Sequence, residues 1–335
     1  MPPFATTADQ KFTEAMPRDD ERLFYFARQT SDTTPAITSM QPLHFLTWNP
    51  TRSQSVDQVQ EYGVIGNVDS TDPEFGDVEV PPASETHRLC LNEEFFRLVT
   101  LLGVPTTTEP STGVFEHTFT SGKAVLPTAT IRDTDSQTTR QTWGLAASSY
   151  ALNVSRAGGV QDVSMAFQPR DMDIDPAVAL APADIRAEVA RIFVPRQGFS
   201  VEVNDVNVGK LLETNLTYTT DLQTEKYVGG ADGHDAIFVG DPSLTVGFAV
   251  RFRTEAQRAA LGGPDTPMKV AITGTGPNGS EIRFEMDRVF GDAVYPAKDG
   301  VLQRLTFSGQ AARSTTNADK AMMRVVLRNT INPDD

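Results

Sequence analysis

LETNLTYTTDL (Leu212–Leu222) decides the fold class. Leu216, Tyr218 and Leu222 alternate with Asn215, Thr217, Thr219 and Asp221. A period of two is the signature of a strand with one buried and one wet face. The pattern recurs nearby. Ile282, Phe284 and Met286 oppose Glu281, Arg283, Glu285 and Asp287, and Phe248, Val250 and Phe252 oppose Ala249, Arg251 and Arg253.

Working outward, the order of elements around this strand is repeated upstream. A strand over Leu43–Trp48 precedes a long polar loop, Thr51–Asn67; Leu212–Leu222 precedes the loop Gln223–Asp241. A second strand then leads into a short helix, Glu85–Leu91 into Glu93–Leu102 and Leu244–Arg253 into Glu255–Leu261. Gly103, or Gly262 and Gly263, closes each helix, and Pro105 or Pro264 follows, which is the expected C-terminal stop. Asn92 is the expected N-cap of the first helix, whose apolar face is Phe95, Phe96, Val99 and Leu102. Further strands are expected at Leu23–Arg28, Val114–Phe119, Ala124–Arg132, Trp143–Arg156, Gly158–Gln168 and Met322–Arg328. Val64–Pro82 reads as an acidic loop or hairpin tip, and a short helix fits Ala183–Ile192. The expected fold is mainly β: two tandem β-sandwich domains, each with a short flanking α-helix. The divisions are an N-terminal arm (1–40), a first domain (41–170), a linker (171–199), a second domain (200–330) and a tail (331–335).

Composition limits the function. The 335 residues carry 29 Lys and Arg against 44 Asp and Glu, a net charge of -15. That balance argues against binding nucleic acid through its phosphates, which needs clustered cations. No stretch approaches the roughly 18 apolar residues of a membrane span. Met1–Asp20 has no apolar core of a secretory signal, and Cys90 is the single cysteine, so synthesis in a reducing cytoplasm is expected.

The search for chemistry is unproductive. Gly274-Thr-Gly-Pro-Asn-Gly279 matches a dinucleotide fingerprint, but Ser280–Asp287 after it alternates as a strand, so Pro277-Asn278-Gly279 reads as a hairpin turn. Asp171, Asp173 and Asp175 begin like a calcium loop, yet Pro176 and Pro182 hold the positions that need glycine and glutamate. Asp232, His234 and Asp235 read as an exposed turn. The four histidines show no ligand spacing, and there is no GxSxG elbow. No catalytic, cofactor-binding or metal-ligating residue is assigned, no cofactor is expected, and the chain is not read as an enzyme.

The segments LFYFARQTSDTTPA (Leu23–Ala36), Leu101-Leu102-Gly103, FEHTFTSGKAVLPTATI (Phe115–Ile131), Val201-Glu-Val-Asn204, LTYTTDLQTEKYVGG (Leu216–Gly230) and VGDPSLTVGFAVRF (Val239–Phe252) together resemble the tail tube proteins of long non-contractile-tailed bacteriophages, in the form with two fused tube domains. The resemblance implies a structural virion protein that stacks as rings into the conduit for DNA ejection. With six tube domains to a ring, two per chain imply a trimer of pseudo-sixfold symmetry; a true hexamer is the alternative. Implied partners are the chain itself, the tape measure protein, the tail terminator and the tail tip proteins, with DNA passing through unbound and no membrane. On this reading Asn215, Thr217, Thr219 and Asp221 face the lumen, with an acidic lining that repels DNA. Arg52, Asp57, Glu61, Glu225, Lys226, Asp232 and Asp235 lie in loops that contact the next ring. Competing readings are a terminator or tip ring protein and a ligand-binding β-sandwich. The second expects clustered exposed aromatics, and only 8% of the chain is aromatic.

Overall fold

A computed structural model describes residues 23–29, 34–58, 73–134, 138–155, 159–209, 211–227, 233–261, 266–292, 295–299 and 302–332. The chain is mainly β. Long strands over Ala83–Arg88, Asp162–Gln168, Thr139–Val154, Leu211–Glu225, Ala236–Arg251 and Leu302–Ala311 lie side by side in that order as one antiparallel sheet, the inner sheet. A second sheet, the outer one, runs Phe199–Val203, Met268–Thr275, Glu281–Gly291, Arg324–Asn329, Val114–Thr120 and Thr106–Ser111. The sheets meet at a corner, where Val289–Gly291 pairs with Gly309–Ala311. Their apolar faces share one continuous core, in which Tyr150 of the inner sheet lies 6.0 Å from Phe284 of the outer one.

Both sheets pass without a break between the segments expected to form separate domains. In the inner sheet Ser149–Val154 pairs with Thr214–Thr219; in the outer sheet Phe115–Thr120 pairs with Arg324–Asn329. Tyr150, Leu152, Leu216 and Tyr218 back the first junction and are all buried. Burying each such side chain stabilises by about 1.5–3 kcal/mol.

Thr139–Val154 serves two sheets. Its first residues pair with Ala129–Thr134 and Asp171–Ile174, and its last with the inner sheet. The switch falls at Gly144, in the left-handed region (φ 61) beside a register shift, a conformation that glycine adopts without steric cost.

Each of the two long polar loops expected from the sequence contains a hairpin arm among its described residues. Leu211–Glu225 and Ala236–Arg251 pair as far as Glu225 opposite Ala236. In the first half Ser53–Gln58 pairs with Pro73–Glu79, and Thr47–Trp48 continues the same hairpin against Thr86 and Glu85. In the second arm Gln223, Thr224 and Glu225 are all exposed, where a strand needs no apolar face. Residues 59–72 and 228–232 lie outside the described residues, as do the N-terminal arm to residue 22, the closing glycines 262 and 263, and most of the turn at 157–159.

Four other expectations are corrected. Leu43–Trp48 is not a continuous strand, because the His44 backbone N–H turns to the Glu93 carboxylate (3.2 Å). Asn92 is not the N-cap: the helix spans Leu91–Leu102 after Cys90, and Asn92 instead donates to the Ala190 carbonyl (2.7 Å). That helix does not flank the sandwich; it sits inside, with eleven of its 12 residues buried. The segment after Asp171 contains a strand, Asp171–Ile174, and no helix at 183–192 beyond the turn Pro182–Asp184. Its chain runs extended there because its carbonyls serve neighbours, Ala187 accepting from Gln41 and Ala190 from Asn92.

Gly103 ends the helix as expected (φ 85), and its N–H reaches the Val99 carbonyl. The second helix is short, Glu255–Ala260. Pro277–Gly279 is a turn between two strands, with Asn278 and Gly279 at positive φ, so no helix follows the glycine motif.

Candidate functional site

The wet face of the inner sheet is a polar surface built from both halves. Its residues follow from pleat and register. Asn215 and Asp221 are exposed, Thr217 and Thr219 half-buried, while Leu216 and Tyr218 between them point into the core. Thr217 lies opposite Thr245 on one side and Ala151 on the other. Thr219 lies opposite Ser243 and Ser149, and their hydroxyls bond across the pair (Thr219 to Ser243, 2.5 Å). Asn215 faces Gly247 and Asn153. A Cβ at Gly247 would run into the Asn215 amide, so the glycine leaves room for that side chain in its present position. Rows continue outward through Ser164 and Thr86 on one side and Gln310 and Ser308 on the other.

The centre of this face is small and neutral rather than acidic. Charges sit near its borders in both signs. Arg88 faces Asp162 across the ladder, Glu213 pairs with Arg304, and Arg251 donates to Asp299 (2.7 Å). None of the residues named on this face is a lysine.

The arms carry the other predicted residues. Glu225 and Asp235 converge on Tyr227, whose hydroxyl donates to Glu225 (2.7 Å) and whose N–H donates to Asp235 (2.6 Å). Lys226 Nζ donates to the Val78 carbonyl (3.1 Å), tying the second hairpin to the first. Arg52 lies 3.7 Å from Asp171. Asp57 is on the strand Ser53–Gln58. Glu61 and Asp232 lie outside the described residues.

Behind the wet face is a charge cluster that the periodicity did not reveal. Glu85 and His87 project from their strand onto the buried helix. Arg97 donates to Glu85 (3.0 Å), Glu93 (3.3 Å) and the His44 carbonyl (3.0 Å). His87 lies 2.6 Å from Glu94 and 3.2 Å from Glu85. Burial alone would raise the Glu85 carboxyl, but Arg97 and His87 outweigh it and hold Glu85 below the usual carboxylate range. Burial and Arg97 oppose a charge on His87; Glu94 and Glu85 more than offset them and raise it. Burial next to Glu94 pushes the Tyr150 hydroxyl well above its ordinary value. The signal available in the sequence was the strand ASETHR, polar at every position after Ala83, beside Glu93 and Arg97 at salt-bridge spacing.

Among the described residues no cluster of three metal-ligating side chains occurs, and no helix is long and apolar enough to cross a membrane.

A strand-built wall with a small polar wet face, a buried apolar face and protruding arms defines a structural β protein. The chain matches the family described as phage tail tube protein over residues 50–311. It belongs to that family and is a structural component of the virion tail that self-assembles into a tube and joins other tail components. No curated protein matches it.

Proposed function

We propose that copies of this chain close into rings, that the rings stack into the tail tube, and that the inner-sheet wet face lines the bore through which DNA is ejected. Asn215, Thr217, Thr219 and Asp221 are then lumen residues. The observation that carries this reading is the unbroken inner sheet, whose outermost strands, Thr47–Trp48 and Ala297–Asp299, pair on one side only among the described residues; open margins need partners, and a ring satisfies every edge. A neutral, hydroxyl-rich lining offers DNA no clustered cations and so no purchase. A ring of three chains, each with a first (41–170) and a second (200–330) tube domain, follows from the duplicated hairpins. The arms bearing Arg52, Asp57, Glu61, Glu225, Lys226, Asp232 and Asp235 reach the adjacent ring. The tape measure protein occupies the bore before ejection, and the terminator and tip proteins cap the two ends.

Electron microscopy of the purified protein tests this. Hollow tubes with threefold or pseudo-sixfold rings are the expected result. Stable monomers at high concentration, or a single ring that does not stack, would sink it.

A further inference from the structure

The internal junction of the inner sheet contains the rule for joining two chains. In the second half Phe248 and Val250 point into the core, Gly247 and Arg251 point out, and a helix follows. In the first half Glu85 and His87 point in, Ser84 and Arg88 point out, and a helix follows. Ser84 therefore matches Gly247, and Arg88 matches Arg251.

The ladders carry this equivalence across the sheet in both directions. Arg88 faces Asp162 and Arg251 faces Arg304, so Asp162 matches Arg304. Asp162 faces Asn153 and Arg304 faces Ala297, so Asn153 matches Ala297. On the other side Gly247 faces Asn215. Ser84 is met by Asn49, whose amide oxygen accepts from the Ser84 N–H (2.9 Å), so Asn49 matches Asn215. Thr47 opposite Thr86 and Trp48 opposite Glu85 put Asn49 opposite Ser84 by register as well, and the side-chain type agrees.

Within the chain Asn153 stands opposite Asn215. The equivalent positions, Ala297 and Asn49, lie at the two far margins of the inner sheet. Among the described residues no strand pairs with the outer side of Ala297–Asp299 or of Thr47–Trp48.

We infer that Ala297–Asp299 of one copy pairs antiparallel with Thr47–Asn49 of the next, Ala297 opposite Asn49 and Asp299 opposite Thr47. This rests on the ring assembly proposed above and specifies its seam. Pro296 and Pro50 bound the seam and remove two edge donors, a common way to keep margins from wrong partners. The seam is therefore only three residues long, half the internal junction, and the arms must supply the rest of the hold between chains.

The test is a cysteine pair, Ala297→Cys with Asn49→Cys. Directly opposed Cβ atoms lie about 4.5–5.5 Å apart, close to disulfide range, and native Cys90 is buried. Oxidised tubes should give a covalent ladder on non-reducing denaturing gels that ends at the number of chains in a ring. Lys298→Cys with Asn49→Cys, a one-residue slip that puts the thiols on opposite faces, should give at least tenfold less. Tubes in which the first pair does not link, or links no better than the second, overturn the seam and leave ring assembly standing. Wild-type protein that never forms rings overturns ring assembly itself. If the double variant does not assemble, a cryo-EM map of wild-type tubes decides: Ala297 beside a neighbour's Asn49 supports the seam, and any other pairing refutes it.

Discussion

The inner and outer sheets distribute their charges differently. The outer sheet is ionic on its wet side: Arg283 bonds Glu202 and Glu285 at 2.9 Å, and Arg328 bonds Glu116 at 2.5 Å. Its core side is apolar except for His117 and Asn329. The inner sheet has hydroxyls and amides at the centre of its wet face and ion pairs near the borders, and its buried side carries Glu85 and His87 against the helix. The two buried histidines show the consequence. His117 has neutral partners, Thr107, Asn329 and the Ile331 carbonyl, and burial lowers its pKa. His87 lies between two glutamates and its pKa is raised. An ionic ladder suits a surface bathed in solvent on the outside of an assembly. A face whose centre lacks cations, with its border arginines paired to carboxylates, suits one that a polyanion must slide past.

The contrast breaks most severely if cations are introduced on the inner face. Thr217→Lys with Thr245→Lys adds two ammonium groups on directly opposed residues. The fold should lose about 1 kcal/mol, because Thr217 is half-buried and like charges directly opposed across a ladder repel. Tubes should now retain DNA at low salt where wild-type tubes retain none. With six or more phosphates contacted, the affinity should fall by roughly 10³ or more between about 50 and 200 mM salt. Filter binding across a salt series reads this, and unchanged retention would show that the face does not line the bore.

Next comes the buried cluster. Arg97→Met strands Glu85 and Glu93 without their guanidinium, and removing one partner of a buried ion pair costs about 3–5 kcal/mol. Denaturant unfolding should show that loss. Adding Glu85→Gln should recover part of it, since the two share one bond. A loss under about 1 kcal/mol would mean that the cluster is wetter than its packing implies.

How much was readable beforehand follows from the same contrast. Alternation at Leu216–Asp221 and at Glu281–Asp287 showed which residues face water, and the structure agrees. It said nothing about which wet face was which, because period two is blind to the difference between Thr217 and Arg283. The helix polar face of Glu93, Glu94 and Arg97 looks solvent-exposed by periodicity, and only the tertiary fold brings Glu85 and His87 over it. The short helix after each second strand, Leu91–Leu102 and Glu255–Ala260, was legible. That Ser149–Val154 meets Thr214–Thr219 was not, since pairing between distant strands leaves no local signal. The long loops were misread because polar arms lack the apolar residues that mark a strand.

The pH dependence separates the two histidines with a smaller effect. The raised pKa of His87 means that its contribution is complete below the ordinary imidazole value and is lost as pH rises through the folded value. Glu85 and His117 have lowered pKa values, so their contributions hold above the ordinary values and fade as pH falls through the folded ones. Stability should therefore decline on both sides of a plateau, by up to about 1.4 kcal/mol per pH unit for each proton linked. His87→Gln should flatten the alkaline limb; because it also removes one of the two groups that hold Glu85 down, the acid limb should become shallower but persist through Arg97 and His117. Melting temperature against pH, in assembled and dissociated protein, measures it; an alkaline limb untouched by the substitution would contradict the bracketing by Glu85 and Glu94.

The smallest effect is expected on the outer sheet. Arg283 makes two ion pairs and bonds the Thr273 hydroxyl (3.3 Å), yet its side chain and those of Glu202 and Glu285 remain 21–30% exposed. Water competes for each of these bonds, so Arg283→Ala should cost about 0–1 kcal/mol, less at high salt. Tubes should still form, because neither the inner sheet nor the arms touch this residue. A cost comparable to that of Arg97→Met would mean that the outer ladder is shielded in the assembled tail, and the two faces of this wall would then differ in what covers them rather than in where their charges sit.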